Sequence, residues 1–161
     1  MTVDLQAAFP SLSRAWMFRS FRAACAPTGL LNVLIAVHAE VWALPVGRLG
    51  VNFLYAMSSG VLQGCPLSGT VFAVSFDSPL RLLVQELGDA GIPLACADDV
   101  LAILRFVYMM ATVSRVFATI SMATGMVVNF KKCVAVPLWR AFRAQTKETL
   151  RTSLVRWAPS W

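Results

Sequence analysis

The sequence predicts an α+β fold: one antiparallel sheet with helices packed on one face, the split βαβ arrangement of a ferredoxin-like core. Three observations predict it. Apolar residues recur at helical spacing in four separate stretches, and short apolar runs bounded by turn residues lie between them. The resulting order is β, α, α, β, β, α, β-β, α, β. A first strand stands far from a late hairpin, across a long helical crossover, and must pair with that hairpin to bury a face. No internal repeat or low-complexity linker divides the chain, so residues 1–138 read as one unit and 139–161 as a basic tail, partly helical at best.

The elements follow in order. A stub strand is expected at residues 2–5. "SLSRAWMFRSFRAAC" is helical, with Ser11 or Ser13 as N-cap. A second helix runs from about Pro27, a good first helical residue, to Val41. "VGRLGVNFLYAMSSG" mixes glycines with β-formers and predicts a hairpin. Residues 66–87 form a helix closed by Gly88, which Pro79 should kink or break. The strands around Asp98-Asp99 come next, then a long helix from about Phe106 to Ala123 with Gly125 as C-cap. "MVVNFKKCVAVPL" is a strand or strand pair.

Composition narrows the function classes. The 161 residues suffice for one domain with a real core. They are 58% hydrophobic and 14% charged, with a mean hydropathy of +0.67. Such a chain either spans a membrane or is a piece of something larger. The longest uncharged run, residues 23–39, contains Pro27, Gly29, Asn32 and His38 and lacks a basic flank, which argues against a transmembrane helix. Asp4 interrupts the start where a secretory signal would need a basic and then an apolar region. Cys25, Cys65, Cys96 and Cys133 form no C-x-x-C, so neither a zinc cluster nor a disulfide scaffold is suggested, and an intracellular location, nuclear or cytoplasmic, is expected. The lone histidine, His38, argues against Ser-His-Asp chemistry and is expected to face solvent or a partner. The net charge of +6 suits a polyanionic partner, and much of it lies near the C-terminus.

The most informative stretch is "IPLACADDVLAIL". It sets two adjacent aspartates inside an apolar run with no Lys or Arg between Leu82 and Leu104. The flanks read as two strands, which makes Asp98-Asp99 a hairpin tip. A solvated turn explains the pair, and so does a divalent cation taking the place of the missing Lys or Arg. Three further stretches bear on the choice. In "VDLQAAFPS", Asp4 ends the stub strand; if that strand neighbours the hairpin, Asp4 approaches Asp98, and the two repel unless metal lies between them. In "SGVLQGCPLSGTVF", Gly60 and Gly64 let backbone come close to a ligand, Gln63 offers an amide, and the following helix start offers free N–H groups. In "TGMVVNFKKC", Lys132 stands where it could give a proton to a leaving pyrophosphate. Each alone is also explained by an ordinary turn or a solvated side chain.

Together, in this order, the four stretches resemble the reverse transcriptase domain of non-LTR retrotransposons and group II intron-type enzymes. "DLQAAFPS" is similar to the first palm motif, "GVLQGCPLSGTVFAVSFDSPLRLL" to the second, "CADDV" to the third and "GMVVNFKKC" to the fourth. The resemblance runs from about residue 3 to 138 and implies a right-hand polymerase palm. It implies that Asp4 and Asp98 hold two Mg2+ ions, with Asp99 supporting the hairpin or the metals. Phe9 would sit against the sugar of the incoming nucleotide and exclude a 2′-hydroxyl. Gln63 and Gly64 would line the nucleotide pocket, and Lys132 would be the general acid. The implied partners are an RNA template, a DNA primer and deoxynucleoside triphosphates.

The departures from the family pattern are specific. Cys96 replaces the usual aromatic before Ala-Asp-Asp. The chain begins three residues before its first aspartate, so the basic fingers have no counterpart, and no primer grip or thumb follows Pro137. The resemblance therefore implies a palm whose fingers and thumb come from a longer product, weak or inactive alone. The rival expectation is an inactive retroelement remnant that at most binds nucleic acid.

Overall fold

Thr2, Val3, Asp4, Leu5 and Gln6 alternate in burial, with Val3 and Leu5 in the core and the other three turned the opposite way. In the computed structural model, which describes residues 1–44, 46–47, 50–51, 53–138, 147–148, 151–152 and 155, the expected stub strand is two strands. β1 (Thr2–Val3) and β2 (Leu5–Gln6) are separated at Asp4 because the chain changes partner there. A single helical turn, α1 (Ala8–Ser11), leads into α2 (Arg14–Ala23), whose N-cap is Ser13 rather than Ser11. α3 (Thr28–Ala39) starts after Pro27, which serves as N-cap and not as the first helical residue.

The predicted hairpin is present but opens earlier. β3 (Val41–Ala43) pairs with β6 (Tyr55–Met57), and inside them β4 (Val46–Gly47) pairs with β5 (Gly50–Val51). α4 (Ser68–Leu87) then runs without interruption through Pro79. The expected break does not occur because the carbonyl that a proline at this position would orphan, that of Ser75, accepts a hydrogen bond from the Trp16 indole. After a 3-10 turn at Gly88–Ala90, β7 (Gly91–Cys96) and β8 (Asp99–Leu104) form the Asp98-Asp99 hairpin. α5 (Met109–Thr124) ends on Gly125, left-handed at φ 79° as a C-cap requires, and β9 (Val127–Val128) follows.

Three antiparallel pairings build the sheet. β8 lies between β1 and β7, antiparallel to both, and β9 pairs antiparallel with β2 on the other side. Following the first strand through Asp4, the order is β9, β1/β2, β8, β7, the split βαβ order the sequence predicts. One face is covered: Val3, Leu5, Val100, Ala102 and Val128 join Met17, Phe21, Phe72, Phe76, Leu83, Val113, Phe117 and Ile120 of α2, α4 and α5 in a single core. The other face is open, with Ile92, Leu94, Leu101 and Ile103 exposed. The α+β class and the helices on one face are thus as expected.

His38 departs from expectation. It is buried, its Nδ1 lies 2.9 Å from the Leu34 carbonyl, and its Nε2 has no partner among the described residues. The Arg14 guanidinium closes the same helix end, donating to the His38 carbonyl at 2.6 Å and reaching the Ser59 and Gly60 carbonyls. Of the basic tail, Lys147, Glu148, Arg151, Thr152 and Val155 are helical, and its other residues lie outside those described.

Candidate active site

The register of the first strand places its carboxylate. Thr2 faces Leu101 and Val3 faces Val100, so one further step sets Asp4 level with Asp99. Cross-strand partners share a face. Val3 and Val100 point to the core, which turns Asp4 and Asp99 to the open face beside Leu101. Cys96 pairs with Asp99, leaving Ala97 and Asp98 as the two-residue turn. Asp98 is half-buried there, as is Asp4, and Asp99 is exposed. The sequence expectation has Asp4 approach Asp98 across the strands; the register continued by one step sets Asp99 opposite Asp4, with Asp98 next to it in the turn.

Backbone strain borders this spot on both sides. Ala97 has φ 53° and Ala7, between β2 and α1, has φ 47°. Side chains with a Cβ rarely adopt this region, and such outliers gather at functional sites.

The strand beside Asp4 is broken too. Thr2 bridges Val134 and Leu5 pairs with Val128, so two residues on one side oppose five on the other. The surplus loops out as a turn over residues 129–132, closed by the Lys132 N–H on the Asn129 carbonyl at 3.0 Å. Asp4 holds both ends of that loop. Its carbonyl accepts from the Asn129 N–H at 2.8 Å, and its N–H donates to Cys133 Sγ at 3.4 Å. Lys132, exposed, stands on the loop next to that cysteine. Burial pushes the Cys133 thiol up; the Asp4 N–H offsets part of this and the Asp4 charge adds to it.

Phe9 is fixed from one side. Its ring stacks on Phe72 at 4.4 Å and 17°, and Phe72 continues onto Phe76 at 5.5 Å. The Phe9 carbonyl accepts from the Val61 N–H at 2.9 Å, and the Leu12 carbonyl from the Gly60 N–H at 2.8 Å. This docks the "SGVLQG" loop onto α1. At Gly60, where the sequence suggested close approach to a ligand, the structure shows close approach to the chain's own backbone. Any Cβ there would lie 2.4 Å from the Pro10 carbonyl oxygen, so its freedom is used on the chain's own backbone. Gly64, at φ 88°, has open space around it and is exposed with Gln63. The helix they precede, α4, has no side-chain cap.

In chemistry alone, carboxylates such as Asp4, Asp98 and Asp99 are the ligands a hard cation takes. Among the described residues the ion pairs are Arg81–Asp77 at 2.6 Å and Arg115–Glu86 at 3.0 Å, and neither involves Asp4, Asp98 or Asp99. Among the described residues no group of three or more His, Cys, Asp and Glu side chains stands close enough together to hold a metal ion. Sequence reasoning missed Cys133, and nothing in the sequence signals a contact between a thiol and a main-chain N–H 129 residues away.

No family model matches the chain. Over a 148-residue alignment covering 84% of it, the chain is 26% identical to the retrovirus-related Pol polyprotein from type-1 retrotransposable element R2 of Popillia japonica. It spans only 24% of that protein's length. Among solved structures, apo telomerase from Candida tropicalis, truncated from its C-terminal domain, superposes with a TM-score of 0.70 at 16% identity, covering 89% of this chain and 31% of that one. Telomerase from Candida albicans in complex with the TWJ fragment of telomeric RNA gives 0.68 at 15% identity, over 88% and 27%. The chain is thus similar in sequence to a retrotransposon Pol polyprotein and in fold to telomerases.

Proposed function

We propose that residues 1–138 are the palm of an RNA-directed DNA polymerase of non-LTR retrotransposon type, and residues 139–161 a basic tail. What supports this is the pairing of Thr2 with Leu101 and of Val3 with Val100, which, carried one step further, sets Asp4 beside the Asp98-Asp99 turn on the uncovered face of the sheet. Three carboxylates without an ion-pair partner among the described residues suit two Mg2+ ions, held by Asp4 and Asp98 with Asp99 in support. When bound, such ions lower the pKa of an attacking 3′-hydroxyl and neutralise the leaving pyrophosphate.

The chain's own side chains do the rest. Phe9, braced by Phe72, presents a ring edge that leaves no room for a ribose 2′-hydroxyl and so selects deoxynucleoside triphosphates. Gln63 and Gly64 border the nucleotide pocket from a loop docked on the same turn as Phe9. Lys132, carried on the loop that hangs from Asp4, gives its proton to the departing pyrophosphate. The RNA template and DNA primer lie along the open apolar face, and the excess of Lys and Arg draws their phosphates. The chain spans 24% of the R2 relative's length, and fingers and thumb would be supplied by a longer product or by another chain. A membrane role has no support among the described helices, none of which is long and apolar enough to cross a bilayer.

Mg2+-dependent primer extension on an RNA template, with the chain and its Asp98→Ala variant, tests the reading. Extension by the chain and none by the variant, with binding to a polyanion unchanged, is the expected result. Extension that survives Asp98→Ala removes the aspartates from the chemistry. Binding without extension, in this chain and in a longer one, makes the protein an inactive nucleic-acid-binding remnant.

A further inference from the structure

We infer that Cys133 is a positioning residue for Asp4, fixing the main chain at the carboxylate where the first strand changes partners. The inference rests on the proposed role of Asp4 as a metal ligand.

Residues 1 and 3 exchange main-chain hydrogen bonds with β8, where the Ala102 N–H meets the Met1 carbonyl at 2.8 Å. Residues 2 and 4 therefore turn their N–H and C=O groups to the opposite side. There Thr2 is answered by Val134 in both directions, at 2.7 and 3.3 Å. Asp4 has no such neighbour, because the facing strand has looped out over residues 129–133. Its carbonyl finds the Asn129 N–H. Its N–H has the Cys133 thiol, at 3.4 Å, where a regular ladder would have supplied a carbonyl.

The thiol is itself held, since Sγ lies 3.3 Å from the Asn129 carbonyl and donates to it. One side chain thus joins the two ends of the loop and the backbone of the aspartate. The place calls for a group that both accepts and donates, which a thiol does. Removing it leaves a part-buried N–H unpaired at the only position between β1 and β2, and the Asp4 carboxylate loses its fixed approach to the Asp98-Asp99 turn.

The test is Mn2+ binding by the full chain, followed through the electron paramagnetic resonance signal of free Mn2+, for wild type, Asp4→Ala, Cys133→Ala and Cys133→Ser. Asp4→Ala is expected to abolish tight binding. Cys133→Ala should weaken it about tenfold, and Cys133→Ser, which keeps a donor and an acceptor, should recover most of the loss. Hydrogen exchange of the Asp4 amide gives a second readout that needs no variant: it should be slow in the wild type. If Asp4→Ala loses Mn2+ while Cys133→Ala binds like wild type, or if serine fails to rescue, the inference is wrong and the metal reading stands. If Asp4→Ala binds like wild type, both are wrong. Should Cys133→Ala not fold, fast exchange of the wild-type Asp4 amide overturns the inference by itself.

Discussion

The indole Nε1–H of Trp16 in α2 donates to the main-chain carbonyl of Ser75 in α4 at 2.8 Å, four residues before Pro79. A helix would normally supply that carbonyl with the N–H of residue 79, which proline lacks. The bond from a neighbouring helix lets α4 continue, and α4 carries Phe72 to its stack on Phe9. A buried carbonyl without a partner costs about 1–3 kcal/mol, so Trp16→Phe should destabilise by that amount. Pro79→Ala restores the missing N–H and should recover at least about 1 kcal/mol more in the Trp16→Phe background than in the wild type. Urea denaturation of the four proteins measures the coupling; additive effects would show that the indole bond does not replace the helical one.

Gly60 and Gly64 both have positive φ, at 81° and 88°, but differ in what surrounds them. A Cβ at Gly60 meets the Pro10 backbone, whereas one at Gly64 meets nothing within 4 Å. Gly64→Ala should cost about 1 kcal/mol, the backbone term alone. Gly60→Ala adds overpacking of about 1–3 kcal/mol and should lift the loop from Phe9. Equal losses of stability would show that Pro10 yields.

Ala97 holds φ 53° in the turn before Asp98. An L-residue in the left-handed region costs about 1–2 kcal/mol, partly offset in a glycine variant by its looser unfolded state. Ala97→Gly should therefore raise stability by about 0.5–1 kcal/mol in a thermal melt. A lowered melting temperature would show that the alanine side chain contributes more by contact than it costs in strain.

His38 is buried with Nε2 unpartnered among the described residues, while its Nδ1 shares a carbonyl that the helix already uses. Removing an unsatisfied buried polar atom is neutral or stabilising when the shape is filled. His38→Leu should stabilise the protein by about 1 kcal/mol in chemical denaturation. A loss above about 2 kcal/mol would mean that the imidazole has a partner in solution.

Four of the longer elements were legible because their signals are local. Ser13 caps α2, Gly125 closes α5, and apolar spacing marked α4 and the β7–β8 hairpin. Asp98-Asp99 stood out since two charges in an apolar run need a tight turn or a cation. Elements with weak local signals were misjudged at their ends: Val41 joins a strand because Met57 pairs with it, and nothing near Val41 in sequence says so. The burial of His38 was unreadable for the same reason, being decided where α3 packs and Arg14 closes its end.

By itself, then, the sequence determined the α+β class, the order of the long helices and of the β7–β8 hairpin, and the identity of the acidic and aromatic residues, all of which follow from period, propensity and side-chain chemistry. Only the tertiary structure decided which of those residues meet. The register, continued by one step, set Asp99 opposite Asp4 with Asp98 next to it; Gly60 was spent on Pro10; a distant indole kept Pro79 inside a helix; and a thiol 129 residues away took the Asp4 N–H. The physical reason is that backbone hydrogen bonds left open by a proline, a bulge or a change of strand partner must be satisfied by whatever the packing brings near, and one-dimensional order does not record that neighbour.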